Sequence, residues 1–216
     1  PSGRPLRLRV GVADVLPNQL CHALLLPALE LEQPVRIVGH GDTTERLLAS
    51  LAVGQLDVVL SDIPVQGPIR VKAFNHLLGE SGLSFLGTAQ LARKYRRSIH
   101  SSLDGAPMLL PSEGSTMRRS LDLWREDLGG HPNVIAEFAD SGLLKSFGAE
   151  GTGVFAVPTV VEASGRQQYG VQLVGRTTDI IERFYAITVE RKIKNPAVVA
   201  ISRAAKEKLF VRNEDG

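Results

Sequence analysis

The segment GHGDTTERLLASLAVGQLDVVLSD, residues 39–62, decides the fold of this chain. It begins with glycines and polar groups, continues with leucines at helical spacing, stops at Gly54 and ends in the apolar run Leu56–Leu60. Asp42, with Glu45 three residues later, has the pattern of a capping box at the start of a helix. A polar loop, an amphipathic helix and an apolar strand in this order predict one unit of a parallel α/β sheet covered on both faces.

The same alternation of strands and helices runs along the rest of the chain. Further strands are predicted at Leu6–Val12, Val35–Val38, Leu83–Leu86, Pro107–Leu110, Val134–Phe138, Val154–Val157, Val171–Val174 and Phe184–Val189. Further helices are predicted at Leu16–Leu31, Thr88–Arg96, Ser115–Leu128, Ser141–Phe147, Thr159–Ser164 and Asn195–Phe210. Pro27 predicts a kink or an early end of the first helix, because proline removes a backbone donor.

Two extended stretches, 71–82 and 175–192, separate the elements into two series. This order predicts two Rossmann-like lobes joined by two crossover strands. Lobe one is predicted to be discontinuous, with residues 1–78 and 178–216, and lobe two to comprise residues 79–177. The hinge candidates are the glycines of the two crossings, namely Gly79, Gly82 and Gly175, because glycine tolerates a change of backbone dihedral angles.

Composition and charge exclude several classes of protein. The 216 residues carry a net charge of +2, so the chain has no strong electrostatic footprint for nucleic acid. The single cysteine, Cys21, fits a reducing compartment, and no apolar run approaches the roughly 20 residues of a membrane span. We therefore expect a cytoplasmic protein without membrane contact. The start PSGRP, with neither an initiator methionine nor a signal peptide, predicts a piece of a longer chain.

Four motifs in order resemble one known family. They are LRVGVADVLPNQL (8–20), the opening segment 39–62, LPSEGSTMRRSLDLW (110–124) and GAEGTGVFAVPTVV (148–161). From about Leu6 to Phe210 the chain resembles the effector-binding domain of LysR-type transcriptional regulators. Residues 74–124 resemble more particularly the regulators of sodium/proton antiporter genes within that family.

The resemblance implies a fold and a function. The fold would be the type 2 plan of periplasmic binding proteins, and a small molecule or ion would bind between the lobes. DNA would be bound only through an N-terminal winged helix-turn-helix domain absent from these residues. An activator that responds to sodium is expected, with repression left open. The resemblance also implies a homodimer or homotetramer whose contacts lie on the helices Leu16–Leu31 and Ser115–Leu128.

Polar residues follow the predicted strands of both lobes. Ligands of open α/β sheets bind outside the carboxyl ends of the strands, and a helix N-terminus there favours an anion. Ordinary helix capping by Asp42 and Ser115 is the simpler alternative. The predicted ligand-binding residues are Asp14, Leu16, His40, Gly41, Asp42, Thr43, Ser61, Asp62, Gly114, Ser115, Thr116, Ser141 and Pro158.

Acidic residues at the same strand ends support a second interpretation of the site. Carboxylate oxygens are ligands for hard cations, so a direct sodium site is the minority alternative. His40 is a weak candidate for a pH switch, because a histidine in a loop is more often a surface residue. The acidic residues concerned are Asp14, Asp42, Asp62, Glu113 and Asp140.

Two other classes of function are weighed against the regulator. A secreted solute-binding protein has the same two-lobed plan, but it would need a signal peptide. An enzyme would need a nucleophile, a base and an orienting group, and the sequence offers no such set. The G-x-S-x-G motif is absent, and the glycine-rich segment 148–153 lacks the lysine of a P-loop. We expect neither catalysis nor a cofactor, and no resident metal.

Overall fold

The computed structural model describes residues 4–66, 72–96, 103–129 and 133–211. The chain forms two compact units, Pro1–Glu80 with Arg183–Gly216, and Ser81–Glu182. Each unit is an α/β lobe, and the chain passes between them twice, within strands β4 (Phe74–Gly87) and β8 (Gln172–Thr188). The predicted fold class, two Rossmann-like lobes joined by two crossover strands, is confirmed.

Unit one contains a mixed sheet whose strands lie in the order β2 (Val35–Asp42), β1 (Leu6–Ala13), β3 (Val58–Ser61), β8 and β4. β1 is parallel to both of its neighbours, β2 and β3, and β8 is antiparallel to β3. The other elements of the unit are β1 (Leu6–Ala13), α1 (Asn18–Leu29), β2 (Val35–Asp42), α2 (Thr44–Ala52), β3 (Val58–Ser61), α7 (Pro196–Ala204) and a π-helical turn (Ala205–Leu209).

The core of unit one lies where β1 and β3 are covered by helices. All four residues of β3 are buried, as expected for a central parallel strand. Helices α1 and α7 pack against each other and bury Leu24 and Ile201. Phe210, after the π-helical turn, stacks on Phe184 and lies over Gly79, where a Cβ atom would overlap its ring. This contact anchors the last helical segment on β4.

Unit two contains the remaining parts of β4 and β8 and a second group of parallel strands. β5 (Pro107–Pro111) is parallel to β6 (Asn133–Phe138), and β7 (Phe155–Pro158) is antiparallel to β4. β5 also bonds to Val154, just before β7. The remaining elements are α3 (Ala89–Tyr95), β5 (Pro107–Pro111), α4 (Thr116–Leu128), β6 (Asn133–Phe138), α5 (Ser141–Ala149), β7 (Phe155–Pro158), a 3-10 turn (Thr159–Val161) and α6 (Glu162–Tyr169).

The core of unit two includes an apolar stripe on α4. Leu121 and Trp124 are buried, with Met117 and Leu128 packed against the same cluster. Trp124 stacks on Phe85 of β4 with ring centroids 5.2 Å apart. An aromatic stack of this kind contributes about 0.5–1.5 kcal/mol beyond its buried area. It fixes α4 on the sheet and thereby positions the N-terminus of this helix.

The capping box predicted at Asp42 is wrong. β2 continues to Asp42, because β1 extends to Ala13 and supplies a partner for each residue of the polar stretch from Gly39 onward. Thr43 is the N-cap of α2, and Asp42 Oδ1 accepts a hydrogen bond of 2.8 Å from the Thr43 N–H. The residues predicted as a loop are therefore the end of an edge strand.

The lengths of several elements also differ from prediction. Two predicted strands, Val171–Val174 and Phe184–Val189, belong to the single 17-residue strand β8. In the polar sequence between them, buried and exposed side chains alternate as in a strand: Ile180 and Glu182 are buried and Ile181 is exposed. β4 is similarly longer than Leu83–Leu86, because it begins in the first crossing.

Three helices can be compared with their predicted boundaries. α1 contains Pro27 and ends two residues later, at Leu29. The predicted helix Thr159–Ser164 is a 3-10 turn followed by α6. The final helix begins as predicted, with Asn195 Oδ1 accepting from the Ala197 N–H at 3.0 Å. The caps were predictable because their residue types are few.

An ion pair fixes β1 against the turn that precedes β3. The Arg9 guanidinium bonds to both carboxylate oxygens of Asp57, at 2.6 and 3.2 Å, and to the Gly54 carbonyl at 2.6 Å. The Arg9 N–H also donates to Asp57 at 2.7 Å, and the Asp57 N–H donates to the Arg9 carbonyl at 2.8 Å. Burial raises the pKa of Asp57, but the hydrogen bonds from Arg9 outweigh it and hold the pKa below its ordinary value.

Replacing Asp57 by asparagine should lower the free energy of unfolding by about 1 kcal/mol, because a charge-assisted pair at a partly exposed position is lost. Since folding lowers this pKa, the stabilisation is complete above the unfolded value near 3.8 and declines as pH falls through the folded value. Urea unfolding at pH 7 should separate the two proteins, and the gap should shrink below about pH 4. Glu190→Gln, in an exposed pair, is the control; a gap independent of pH would contradict the role of the carboxylate.

Candidate functional site

The carboxyl ends of β1, β2 and β3 lie at one edge of the sheet of unit one. The Asp14 N–H donates to the Asp42 carbonyl at 3.1 Å, which continues the β1–β2 pairing beyond the strands. Ser61, the last residue of β3, is fully buried, and its hydroxyl lies 3.2 Å from the Thr44 hydroxyl. The Ser61 hydroxyl also accepts from the Ile63 N–H at 3.0 Å. This pair of hydroxyls joins the end of β3 to the first turn of α2.

The predicted ligand residues of unit one differ in exposure. Asp14, His40, Gly41 and Thr43 are exposed, and Asp42 is half-buried with Arg46 3.7 Å from its carboxylate. Leu16, Ser61 and Asp62 are buried. The first group can meet a ligand directly. Leu16 and Ser61 instead belong to the packed base of this edge.

The N-terminus of α2 has a feature that the sequence did not predict. Within the described residues its N-cap, Thr43, makes no capping hydrogen bond through its side chain. The first N–H groups of a helix point outward and form the positive end of its dipole. Thr44, which the sequence analysis did not select, places its hydroxyl in this first turn. The arrangement can accept a carboxylate or another anionic group.

The corresponding helix of unit two is capped by its own side chain. Ser115 Oγ accepts from the Arg118 N–H at 3.1 Å, so the predicted N-cap is confirmed. Gly114 has a φ of 91°, a left-handed conformation that side chains rarely adopt. Thr116 is half-buried as the first residue of α4. The Arg118 N–H is therefore already bonded to the capping side chain, whereas the N-terminus of α2 has no such bond to its N-cap side chain within the described residues.

The other two predicted residues of unit two lie at the starts of helical segments. Ser141 is the first residue of α5, whose N-cap is Asp140, with Oδ1 accepting from the Leu143 N–H at 2.7 Å. Pro158 ends β7, is buried and is paired with Leu83. Asp140 is thus engaged in capping, as the simpler interpretation of these carboxylates expected.

A buried polar network behind Pro158 escaped sequence analysis. Ser84 is fully buried, donates to Glu162 at 2.8 Å and lies 3.0 Å from the Thr159 hydroxyl. Arg176 forms a two-pronged pair with Glu162, at 2.6 and 3.0 Å. Burial raises the pKa of Glu162, but hydrogen bonds from Arg176 and Ser84 outweigh it and lower the pKa overall. Nothing in the spacing of these distant residues could have predicted the network.

Arg118 is a second group that the sequence did not single out. Its side chain is 12% exposed and bonds to the Pro111 carbonyl at 3.1 Å, to Asp122 at 2.8 Å and to Glu137 at 3.0 Å. The hydrogen bond from Arg118 is the main cause that lowers the pKa of Glu137. These contacts hold the end of β5 and the strand β6 against the first turn of α4.

No preformed metal site is visible. In the described ranges of the chain, no group of three or more histidine, cysteine or acidic side chains could hold a metal ion. Asp14, Glu113 and Asp140 are exposed at separate strand ends. Among the described residues of each unit, the cation alternative therefore has no assembled set of ligands.

Two α/β lobes joined by two crossing strands define the class of type 2 periplasmic-binding-protein folds. Residues 2–209 match the LysR substrate binding domain family, and the chain belongs to this family. It is an effector-sensing domain of the LysR type, and the alternative of a secreted solute-binding protein is set aside. The resemblance inferred from the sequence motifs is confirmed.

Relatives of known name support the same assignment. The transcriptional activator protein NhaR of Escherichia coli (strain K12) is 31% identical over 201 residues, which is 93% of this chain. The NhaR protein of Shigella flexneri matches equally. The chain spans 66% of the length of these relatives.

Solved structures show the same fold at lower identity. The LysR family regulator CbnR has a TM-score of 0.71 and 14% identity, over 93% of this chain and 68% of that chain. The effector binding domain of BenM with benzoate has a TM-score of 0.70 and 18% identity, over 93% and 90%. Reduced OxyR from N. meningitidis has a TM-score of 0.69 and 14% identity, over 94% and 96%.

Arg118 and its neighbour Arg119 provide a matched test of the unit two edge. Arg118→Met should lower the free energy of unfolding by roughly 2 kcal/mol, because two carboxylates and a carbonyl lose a nearly buried partner. Arg119→Met should change it by less than about 0.5 kcal/mol, because Arg119 is exposed. Chemical unfolding of both variants measures the difference. Equal losses would show that the contacts of Arg118 contribute nothing specific.

Proposed function

We propose that this chain senses a small effector for a LysR-type transcriptional activator, and that the strand ends of its units hold the effector. DNA is bound by a winged helix-turn-helix domain that lies outside these 216 residues. Membership of the family over residues 2–209 is the observation that carries this proposal. The length difference supports it, because the chain covers 66% of NhaR and 68% of Vibrio fischeri DarR, which was solved in complex with DNA.

The effector that fits unit one best is an organic anion. The N-terminus of α2 has no capping side chain within the described residues, and two hydroxyls, of Thr44 and Ser61, lie beside it. Backbone N–H groups and hydroxyls together suit a carboxylate. Two family structures were solved with carboxylic acids, BenM with benzoate and QuiR with shikimate. Gly41 leaves open space beside the backbone for a ligand to approach.

The other predicted residues complete this proposal. In unit two, effector binding is assigned to Ser115 and Thr116 at the start of α4. Ser141 at the start of α5 and Pro158 just before the 3-10 turn also contribute to it. Ser84 and Glu162 hold the segment after Pro158 in place. The division of labour is between exposed groups that meet the ligand and buried ones that position them.

The proposal also names the kind of gene that the protein regulates. The similarity of residues 74–124 to regulators of sodium/proton antiporter genes supports control of such a gene, in agreement with the 31% identity to NhaR. In this proposal the full-length regulator, and not this domain alone, produces the response to sodium. The protein acts in the cytoplasm, in contact with DNA. No helix in the described part of the chain is long and apolar enough to span a bilayer.

A thermal-shift screen of this chain tests the effector. Benzoate, shikimate and other carboxylates are compared with the chlorides of sodium, lithium and potassium at matched ionic strength. At least one carboxylate should raise the unfolding midpoint, because a ligand that binds only the native state stabilises it. Thr44→Val removes the hydroxyl and keeps the shape, so it should need about tenfold more ligand, the effect of one lost hydrogen bond in a binding site.

Ser50→Ala, at the other end of α2, is the control and should respond like the parent protein. If sodium alone raises the midpoint and no carboxylate does, the effector is a cation and the anion proposal is wrong. If a carboxylate stabilises the parent and Thr44→Val equally, the strand-end site of unit one does not bind it.

Exposed apolar side chains on two helices support self-association. On α1, Leu26 and Leu29 are 41% and 54% exposed and three residues apart, so they share one helix face. On α4, Leu123 is 57% exposed. Pairing with a second copy of the chain would remove these exposed leucine side chains from water. The proposal is that these two helices form the contacts of a homodimer, which can assemble further into a homotetramer.

Leu29→Glu and Leu123→Glu should each convert the dimer to a monomer, because a buried unpaired carboxylate at an interface costs several kcal/mol. Size-exclusion chromatography with light scattering at micromolar concentration measures the mass. Val53→Glu places the same charge on a side chain that is 72% exposed and lies outside both helices, and it should remain dimeric. A monomeric parent protein would contradict the proposal.

A further inference from the structure

Unit one contains a cavity of about 650 Å³ that the proposed function does not use. It is lined by the start of β4, the segment after β8, and α7 with its π-helical turn. β8 is antiparallel to β3, with Val59 paired to Ile187 and Ser61 to Tyr185. The exit of β8 therefore lies toward the amino end of β3. The cavity is at the opposite sheet edge from the proposed effector site.

The lining of the cavity is strongly basic. Arg191, Lys192, Arg203 and Lys206 contribute cations, and Glu207 is the one acidic residue among the lining side chains. Glu207 is already paired with Arg203 at 3.0 Å. In the described part of the chain, the other three cations form no ion pair with a carboxylate. The whole chain carries only +2, so this positive charge is a local concentration.

The segment that carries two of these cations is tied to the sheet. His76 Nε2 lies 3.0 Å from the Thr188 hydroxyl and 3.3 Å from the Glu190 carbonyl. Thr188 donates to the same carbonyl at 2.8 Å. These bonds hold the start of the segment against β4, so Arg191 and Lys192 project from a fixed base. A fixed base lowers the entropy that a ligand must overcome to order them.

The rest of the lining is mixed in polarity. Leu77 and Val199 are apolar lining residues and are 42% and 41% exposed. Ser202 adds a hydroxyl from α7. The cavity is open to solvent, and its volume lies within the range of roughly 300–1,000 Å³ that small-molecule sites occupy.

We propose that this cavity binds a small multivalent oxyanion, a molecule with two or more phosphate or carboxylate groups. Three cations without carboxylate partners require more than one negative charge for neutralisation. The guanidinium of Arg191 matches the geometry of phosphate and carboxylate oxygens. The apolar walls at Leu77 and Val199 accommodate a carbon skeleton between the anionic groups. The site is independent of the strand-end effector site.

Isothermal titration calorimetry on the 216-residue chain tests this site with inorganic pyrophosphate, citrate and inorganic phosphate at constant ionic strength. Pyrophosphate or citrate should bind at least about tenfold more tightly than phosphate, because each added charge-assisted contact contributes about that factor. The tighter of the two probes identifies phosphate or carboxylate as the preferred group. Lys192→Glu and Lys206→Glu should each weaken binding more than about tenfold.

Lys94→Glu is the matched control, because it makes the same charge change on α3 of unit two, outside the cavity. It should leave the affinity within about twofold of the parent, because Lys94 does not line the cavity. Unfolding midpoints of all three variants establish that they are folded.

Absence of binding by both multivalent probes would overturn the proposal. Equal losses in Lys94→Glu and the two cavity variants would show a diffuse electrostatic effect and would also overturn it. Binding that is lost in Thr44→Val and kept in Lys206→Glu would assign the anion to the strand-end site. A short DNA duplex that binds through Lys192 and Lys206 while pyrophosphate and citrate do not would replace the cavity by a nucleic-acid surface.

Discussion

The ion pair between Arg9 and Asp57 connects β1 to the turn before β3 and supports the register between the two strands. Parallel strands have no hairpin to set their alignment, so other contacts must do so. Here Arg9 bonds to the Asp57 carboxylate and to the Gly54 carbonyl. These contacts hold the turn between α2 and β3 at one position along β1. The alignment brings Ala13, Asp42 and Ser61 to one edge of the sheet. The strand-end site of unit one depends on that alignment.

The two units use similar strand ends in different ways. In unit two, Ser115 caps α4 and Asp140 caps α5, so side chains of the protein occupy the first backbone donors. In unit one, α2 has no such cap within the described residues, and hydroxyls of Thr44 and Ser61 lie next to its N-terminus. An uncapped helix end forgoes about 1 kcal/mol of stability. A ligand that supplies the missing acceptor recovers it, which is a reason for such an end to persist at a binding site.

The sequence was sufficient for the fold class, the family and the helix caps at Ser115 and Asn195. These depend on local patterns, namely apolar periodicity and the small set of capping residues. The cap at Asp42 was wrong because a neighbouring strand, far away in sequence, gave residues 39–42 partners that local analysis does not consider. β8 was divided in two because its polar middle is buried on one side only. Strand length is decided by neighbours, whereas caps are decided by the residue itself.

The candidate site was less accessible to sequence analysis than the fold. Ser61 and Asp42 follow from the rule that ligands bind at strand ends, but Thr44 becomes relevant only through its distance to Ser61. Ser84, Glu162 and Arg176 come from three separate elements, and no spacing joins them. Likewise, the basic cavity draws its cations from a loop and a helix, and the near-neutral total charge conceals them. Long-range convergence of this kind needs coordinates.

The discontinuity of unit one has a consequence for biosynthesis. Residues 81–182 form one unbroken stretch, so unit two has its whole sequence once residue 182 has left the ribosome. Unit one, although its first segment is made earlier, lacks the end of β8 and helix α7 until residues 183–204 are made, a delay on the order of seconds. During that interval β3 has an unpaired edge and α1 has no helical neighbour. The edge of the buried strand β3 therefore stays exposed until β8 is complete, and protection of that edge by a chaperone is of most use before α7 emerges.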